Sequence, residues 1–341
     1  MTPERILIFE LNWLGDILFS FPFLRAIRKR FPEAYIASVV VPRYVDLVIN
    51  NPWVNEVHVL SDNNGLRSLK EKLEFINVIR REKYDTCFLL KPSRIKSIMA
   101  FYAGIGERIG FSGKKALLTK EVEMPGGNMH RADVILSLAG AAGVSEADGM
   151  YEFFLTEADE ERADELLRDV RGGRNRAVGI NPGGNWDAKR WPAENYTALI
   201  KKILDNFGDV EVMVTGAEKD MALAGHIVSE AGSGRCYTVA GRTDLSVLAA
   251  LFKRCALVIS ADSGPLHLAS ATGVTTVGLF GPTSYKITGP RGRGKNIILS
   301  GKVDCAVPCY EETCGKDFIC MKSITVDEVF KAAQKELRRN D

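Results

Sequence analysis

The chain has 341 residues, of which 46% are apolar and 26% charged, with 45 Lys/Arg against 43 Asp/Glu and a net charge of +2. Such numbers fit a globular protein of about two domains and give no reason to expect nucleic acid as the main partner. No apolar run is long enough to cross a bilayer and the first one, Ile6 to Phe9, is too short for a secretory leader, so a cytoplasmic location with mostly reduced cysteines is the expectation.

The first half alternates strand and helix patterns. Arg5 to Phe9 reads as a strand, Gly15 to Arg30 as a helix, Tyr35 to Val41 and Asn55 to Leu60 as strands, Leu66 to Arg81 as a helix and Tyr84 to Leu90 as a strand. This βαβ rhythm predicts a parallel sheet covered by helices. The loop Leu11-Asn-Trp-Leu-Gly-Asp16 follows the first strand, where open α/β sheets face their ligands. Asp16 is a candidate general base there; a first-turn acid that only favours the helix dipole is the equal alternative. Gly15 favours function, because it lets a ligand approach the backbone closely. The first helix carries Arg25, Arg28, Lys29 and Arg30, which offer a peripheral contact to anionic lipid, with a solvated helix end as the rival.

Residues 156 to 176 are charged and end in Arg171-Gly-Gly-Arg-Asn-Arg176, a reasonable domain junction. It divides the chain into 1–165 and 175–324, with 325–341 as a C-terminal helix. Beyond it, strands are expected at Ala177 to Asn181, Val210 to Thr215, Cys236 to Ala240, Leu257 to Ala261 and Thr275 to Phe280. Helices are expected near 193–206, 218–231, 244–253, 264–271 and 325–339. Two α/β domains with ligand-facing loops predict a cleft between them.

Four loops of the second half carry the chemistry. In Asn181-Pro-Gly-Gly-Asn-Trp-Asp-Ala-Lys-Arg-Trp-Pro192, Gly183 and Gly184 can turn amides toward an anion and Lys189 or Arg190 supplies positive charge. Glu218 and Asp220 follow a strand at a place where acids hold ribose hydroxyls, or simply begin a helix. Asp262-Ser263-Gly264-Pro-Leu-His267 opens a helix after an apolar strand, and Gly281-Pro-Thr283-Ser284 ends the next strand. Amides at two neighbouring strand-to-helix turns, with a helix dipole behind them, make a diphosphate site. His267, alone on an apolar helix, is given binding at most.

Some patterns are set aside. Gly289-Pro-Arg-Gly-Arg-Gly-Lys295 imitates a P-loop, but Asn296 replaces the Ser or Thr and a strand-like run follows. Gly104-Ile-Gly-Glu-Arg-Ile-Gly110 imitates a dinucleotide fingerprint with its third glycine late. Cys305, Cys309, Cys314 and Cys320 lack a C-x-x-C pair and are read as packing thiols. No D-x-D triplet occurs, so a departing diphosphate would be neutralised by amides and Lys/Arg rather than by a metal.

In order and spacing, Leu14-Gly15-Asp16, Asn181-Pro-Gly-Gly with Lys189-Arg-Trp-Pro192, Asp262 to His267 and Gly281 to Ser284 resemble glycosyltransferase family 9, the heptosyltransferases of the lipopolysaccharide core. The resemblance runs from about residue 5 to residue 335, and the tail Cys320-Met-Lys-Ser-Ile324 is similar to tails in that family. It implies a GT-B fold, in which two Rossmann-like parallel-sheet domains face each other across a cleft and the C-terminal helix crosses back to the first. It implies inverting transfer from ADP-heptose or a related nucleotide sugar to a lipid-linked or other glycan acceptor, with no metal and no cofactor. By position it makes Asp16 the base, Lys189 the donor-phosphate lysine, and Asp262, Ser263, Gly264 and His267 the donor-binding helix start. Lys91, Arg94, Lys96 and His130 are the candidate contacts to an anionic acceptor. The rival readings are an epimerase or hydrolase of the same fold and a non-catalytic nucleotide-sugar-binding protein.

Overall fold

Short aliphatic runs flanked by turns become the strands of two separate parallel sheets. The structure, a computed structural model, describes residues 2–62, 66–113, 117–170, 176–309, 311 and 314–340. The glycine-rich turn at 171–175 expected to join the domains lies outside the described residues.

The first unit is Met1–Phe154. In chain order it contains β1 (Arg5–Phe9), α1 (Leu14–Arg30), β2 (Tyr35–Val40), α2 (Val45–Val48), β3 (Glu56–Val59), α3 (Leu66–Arg81), β4 (Thr86–Leu89), α4 (Arg94–Tyr102), β5 (Glu107–Phe111), β6 (Lys120–Val122) and α5 (Arg131–Ser137). The strand order is β3-β2-β1-β4-β5-β6, and every pairing is parallel. Ile6, Leu7, Ile8 and Phe9 are all fully buried, as a central strand covered on both faces requires.

The basic turn of α1 is mostly engaged inside this unit. Arg25 is buried and donates to the carbonyls of Asp148 and Met150, with Asp148 and Glu152 as its ion-pair partners. Arg28 donates to the carbonyls of Trp53, Pro32 and Ala34 and to the side chain of Asn55. Lipid contact through these two arginines is therefore not available, because their guanidinium groups already satisfy backbone carbonyls; Lys29 and Arg30 remain exposed.

The second unit is Leu155–Asp341. It runs α6 (Glu157–Val170), β7 (Arg176–Asn181), α7 (Ala193–Asn206), β8 (Val210–Val214), α8 (Met221–Ala231), β9 (Cys236–Thr238), α9 (Leu245–Lys253), β10 (Cys255–Ala261), α10 (Gly264–Ala271), β11 (Thr276–Phe280), α11 (Tyr285–Thr288), β12 (Asn296–Ser300), α12 (Ile319–Lys322) and α13 (Val326–Leu337). Its sheet order is β12-β11-β10-β7-β8-β9, again all parallel.

Two boundaries differ from expectation. The units divide between Phe154 and Leu155 rather than at 165, because α6 packs on α9. Its charges pair there, Glu160 with Lys253 and Arg254, and Asp164 with Arg254. The C-terminal helix, expected to cross back, packs α13 on α7 and on β10, β11 and β12 of its own unit. Thr325 and Glu328 cap it reciprocally, and Val329, Phe330, Ala333 and Leu337 join the core with Leu199 and Ile203.

The segment that imitates a P-loop is explained by packing. A Cβ on Gly292 would fall 1.7 Å from the carbonyl oxygen of Ser270, and one on Gly294 would fall 2.3 Å from that of Gly273. The loop presses against the C-terminal end of α10, and Gly292 donates its amide to Ser270 Oγ. Because the clash is with backbone, Gly292→Ala should cost about 3 kcal/mol or more. A calorimetric melt checks this; an unchanged Tm would mean that the loop is not pressed there. Among the described residues no helix is long and apolar enough to cross a membrane.

Candidate functional site

Each sheet reverses its winding once, at β1/β4 in the first unit and at β7/β10 in the second. Loops that leave the carboxyl ends of strands at such a point diverge and leave room for a ligand. Most of the predicted site residues lie on loops at or next to these two places.

In the first unit, β1 ends at Phe9 and Glu10 follows, fully buried. Asp16 lies in the first turn of α1, half-buried. Trp13 is the N-cap residue of that helix, without a side-chain cap bond, and the residue is 54% exposed. Arg43 ties the loop down by donating to the carbonyl of Asn12 while it pairs with Asp62. Across the reversal, Ser93 caps α4 by accepting from the Lys96 amide. The Lys96 ammonium donates to the carbonyl of Glu10 at 2.6 Å. Lys96 is therefore committed to the end of β1, and burial brings its pKa down to about 8 against the pull of Glu10. Lys91 and Arg94 are exposed beside it. His130 is placed elsewhere: it is buried, accepts from the Ala132 amide at the start of α5, and packs edge-on against Phe19 at 5.2 Å.

In the second unit, Asp262 follows β10 and is 3% exposed. Its Oδ2 accepts from Lys189 Nζ at 2.8 Å and from Thr283 Oγ1 at 2.6 Å. Its Oδ1 lies 3.5 Å from His267 Nε2. Burial alone would raise this carboxyl, but the His267 hydrogen bond and the Lys189 charge outweigh burial and hold it well below the usual carboxylate range. One acid thus gathers the 181–192 loop, the first turns of α10 and the 281–284 turn. Lys189 also stands over the Trp186 ring, 5.6 Å from its centre. Ser263 is the N-cap residue of α10 but makes no side-chain cap bond; its hydroxyl meets Ser260 at 3.1 Å instead. The amides of Ser263 and Gly264 open this helix, where the first backbone N–H groups have no intrahelical partner.

The other predicted donor residues divide by role. A Cβ on Gly183 would come 2.6 Å from the Asp220 carboxylate, and one on Gly216 would come 2.8 Å from Asp220 Cβ. Asp220 is buried and accepts from the Ala217 amide, so it is turned inward, whereas Glu218 beside it is exposed. Gly184 offers its carbonyl to Arg190. Gly281 makes room for Met321, whose Cγ would be 2.7 Å from a Cβ there. Ser284 is the N-cap residue of the short α11, without a side-chain cap bond. All seven cysteines are free, with Cys305 exposed and Cys309, Cys314 and Cys320 half-buried. A cavity of about 320 Å³ opens behind the same loop, lined by Pro182, Arg190, Trp191, Glu194, Phe318 and Met321. Neither Lys189 nor Asp262 lines it, so it is not the centre of the charge cluster. Among the described residues no three His, Cys, Asp or Glu side chains gather as metal ligands do.

The family model "Glycosyltransferase family 9 (heptosyltransferase)" matches residues 73–318. The chain belongs to glycosyltransferase family 9. This glycosyltransferase is 26% identical over 320 residues to lipopolysaccharide heptosyltransferase 2 of Escherichia coli strain K12, covering 86% of the chain and 87% of that protein. It is 27% identical to lipooligosaccharide heptosyltransferase 2 of Haemophilus ducreyi, covering 86% and 88%. Among solved structures, a family 9 glycosyltransferase of Veillonella parvula superposes with a TM-score of 0.85 at 23% identity, over 98% of this chain and 97% of that one. The ADP-heptose lipopolysaccharide heptosyltransferase II of E. coli follows at 0.82 and 22%, over 98% and 99%. These structures show that the glycosyltransferase has the two-sheet architecture expected of GT-B enzymes.

The residue that the sequence reading missed is Glu10. An acid that ends an apolar strand looks like a charge leaving the core, and the signal available was its place directly after the apolar run Ile6 to Phe9 of β1.

Proposed function

We propose that this glycosyltransferase moves a heptose from ADP-heptose to a lipopolysaccharide core acceptor, with inversion at the anomeric carbon and with neither metal nor cofactor. The curated relatives are named as lipopolysaccharide heptosyltransferases, and a similar fold, heptosyltransferase WaaC of E. coli, was solved with ADP (TM-score 0.75, 16% identity, over 97% of this chain and 99% of that one). The observation that carries the reading is the cluster in which Lys189, Thr283 and His267 converge on buried Asp262 beside the first turn of α10.

In this reading the diphosphate lies on the amides of Ser263, Gly264, Thr283 and Ser284 and shares Lys189 with Asp262. Each well-placed donor to a developing negative charge contributes roughly 3–4 kcal/mol. Asp16 takes the proton of the acceptor hydroxyl as its oxygen bonds to the anomeric carbon and the bond to the diphosphate breaks. Attack from the face opposite the leaving group inverts that carbon.

A thermal-shift panel of nucleotide sugars tests donor choice, since a ligand raises Tm in proportion to affinity and concentration. ADP-heptose should give the largest shift; a larger shift with a UDP- or GDP-sugar would reject ADP-heptose. Transfer should persist in EDTA, and loss restored by magnesium would reject the metal-free mechanism. Donor incubated without acceptor should stay largely intact, which separates a transferase from a hydrolase or epimerase. Peripheral contact with anionic lipid now rests on Lys29 and Arg30, and liposome sedimentation with and without anionic lipid tests it.

A further inference from the structure

We infer that Trp13 is a specificity-determining residue, its indole being the platform on which the acceptor's terminal sugar ring lies while Asp16 meets that sugar's hydroxyl. The inference rests on the acceptor and the base proposed above.

The chain has four tryptophans, and three of them are engaged. Trp53 packs edge-on against Phe21 and Phe154. Trp186 lies beneath the Lys189 ammonium. Trp191 packs on Tyr196 and donates to the Ile324 carbonyl at 2.8 Å. Trp13 has no such neighbour. It is 54% exposed, and its side chain has no hydrogen-bond, ring or cation partner among the described residues. A large apolar side chain left in water forgoes the stabilisation of burial.

The position forgoes a second contribution. Trp13 holds the N-cap of α1 with an extended backbone, φ −128° and ψ 144°. That conformation suits Ser, Thr, Asp or Asn, whose side-chain oxygen accepts from the amides of the first turn. An indole has a donor and no acceptor. One residue thus breaks both a burial rule and a capping rule, which is expected where function is served.

The surroundings say which function. Trp13 at the N-cap and Asp16 at the third helical position are the pair of places whose side chains approach each other in a capping box. Gly15 stands between them without a side chain. Arg43, paired with Asp62, holds the Asn12 carbonyl, and α1 is buried from Ile17 to Ile27, so the backbone under the indole is tied down. Strand β4 lies beside β1, with Leu89 opposite Phe9, and the exposed Lys91 and Arg94 follow it. A sugar ring has an apolar face of C–H groups and a rim of hydroxyls. The indole takes the face, the carboxylate takes one hydroxyl, and the two cations take an anionic substituent. A flat platform on a fixed backbone selects which hydroxyl reaches Asp16.

Trp13→Ser tests this. Steady-state rates are measured with ADP-heptose and a deacylated, truncated lipopolysaccharide core oligosaccharide. The variant should raise the acceptor KM about fivefold or more, with ADP-heptose affinity within about twofold of wild type. Its Tm should hold or rise by up to about 4 °C, because Ser caps α1. Trp13→Phe should keep the acceptor KM within about threefold of wild type, and Trp13→Leu, apolar but without a π face, should behave like Trp13→Ser. A wild-type acceptor KM in Trp13→Ser overturns the inference. A Tm lowered by more than about 2 °C does so too, since the indole would then be structural. A Leu variant equal to the Phe variant reduces the contact to plain apolar packing and rejects the platform. An effect seen only with lipid-linked acceptor in anionic vesicles puts the indole on a membrane and rejects it as well. If wild type transfers no heptose to the oligosaccharide, the proposed function fails; if it does and the variants match it, only the platform fails.

Discussion

Replacing Asp16 with Asn lowers kcat for heptosyl transfer by at least about 10²–10⁴-fold, the share that general-base assistance supplies, while ADP-heptose affinity stays within about twofold of wild type. The side chain sits in the first turn of α1 and the cluster around Asp262 lies in the other unit, so on the proposed mechanism the substitution should affect proton transfer and leave the donor-binding residues unaltered. The rival reading, an acid that merely favours the helix dipole, predicts a different pair of numbers. Losing that effect costs about 0.3–1 kcal/mol of stability and leaves the rate alone. Rapid-quench rates together with calorimetric donor titration decide between them: a normal rate with a slightly lower Tm makes Asp16 a cap and nothing more.

The central strands were legible because apolar residues dominate them, as in Arg5–Phe9 and Thr276–Phe280. Arg5 to Phe9 matches β1, and Ala193–Asn206 and Gly264–Ala271 lie where helices 193–206 and 264–271 were expected. The stretch from 91 to 155 was not legible. There α4 spans nine residues, and its one clear signal is the Ser93 cap. Strand β5 mixes Glu107 and Arg108 with Gly110, and β6 is a three-residue edge strand, largely exposed. Neither shows a period that sequence alone can separate from loop.

Among the site residues, the sequence marked Lys189, Asp262, Thr283 and His267 separately, but only folding makes Asp262 the hub that joins them. Glu10 and Arg25 mislead for a shared reason. Each is a charged residue whose burial depends on distant chain: Ser38 lies 28 residues from Glu10, and the Asp148 carbonyl lies 123 residues from Arg25. Gly292 shows the converse. It reads like phosphate chemistry and is instead explained by the carbonyl of Ser270.

Removing Lys189 has two consequences that a double variant can separate. Asp262 is 3% exposed, and Lys189 is its cation. Lys189→Ala leaves that carboxylate with Thr283 and His267 alone, and stranding one partner of a buried pair costs about 3–5 kcal/mol. The sign with pH follows from the depressed Asp262 pKa. Its contribution to stability is present above the ordinary carboxylate range and is lost as pH falls through the folded value. In Lys189→Ala the depression lessens, so the stability gap between variant and wild type is wide at neutral pH and narrows in acid. Asp262→Ala should cost less, because Lys189 is partly exposed and can turn to solvent. In Lys189→Ala/Asp262→Ala no charge is stranded, so the cost should be smaller than the sum of the single changes by about 1–3 kcal/mol. Donor affinity should not recover with stability, since the lysine proposed to meet the diphosphate is still missing. Urea melts and calorimetry with ADP-heptose on all four proteins measure both quantities. Recovery of donor affinity along with stability would make Lys189 a structural counter-ion of Asp262 and remove it from the donor site.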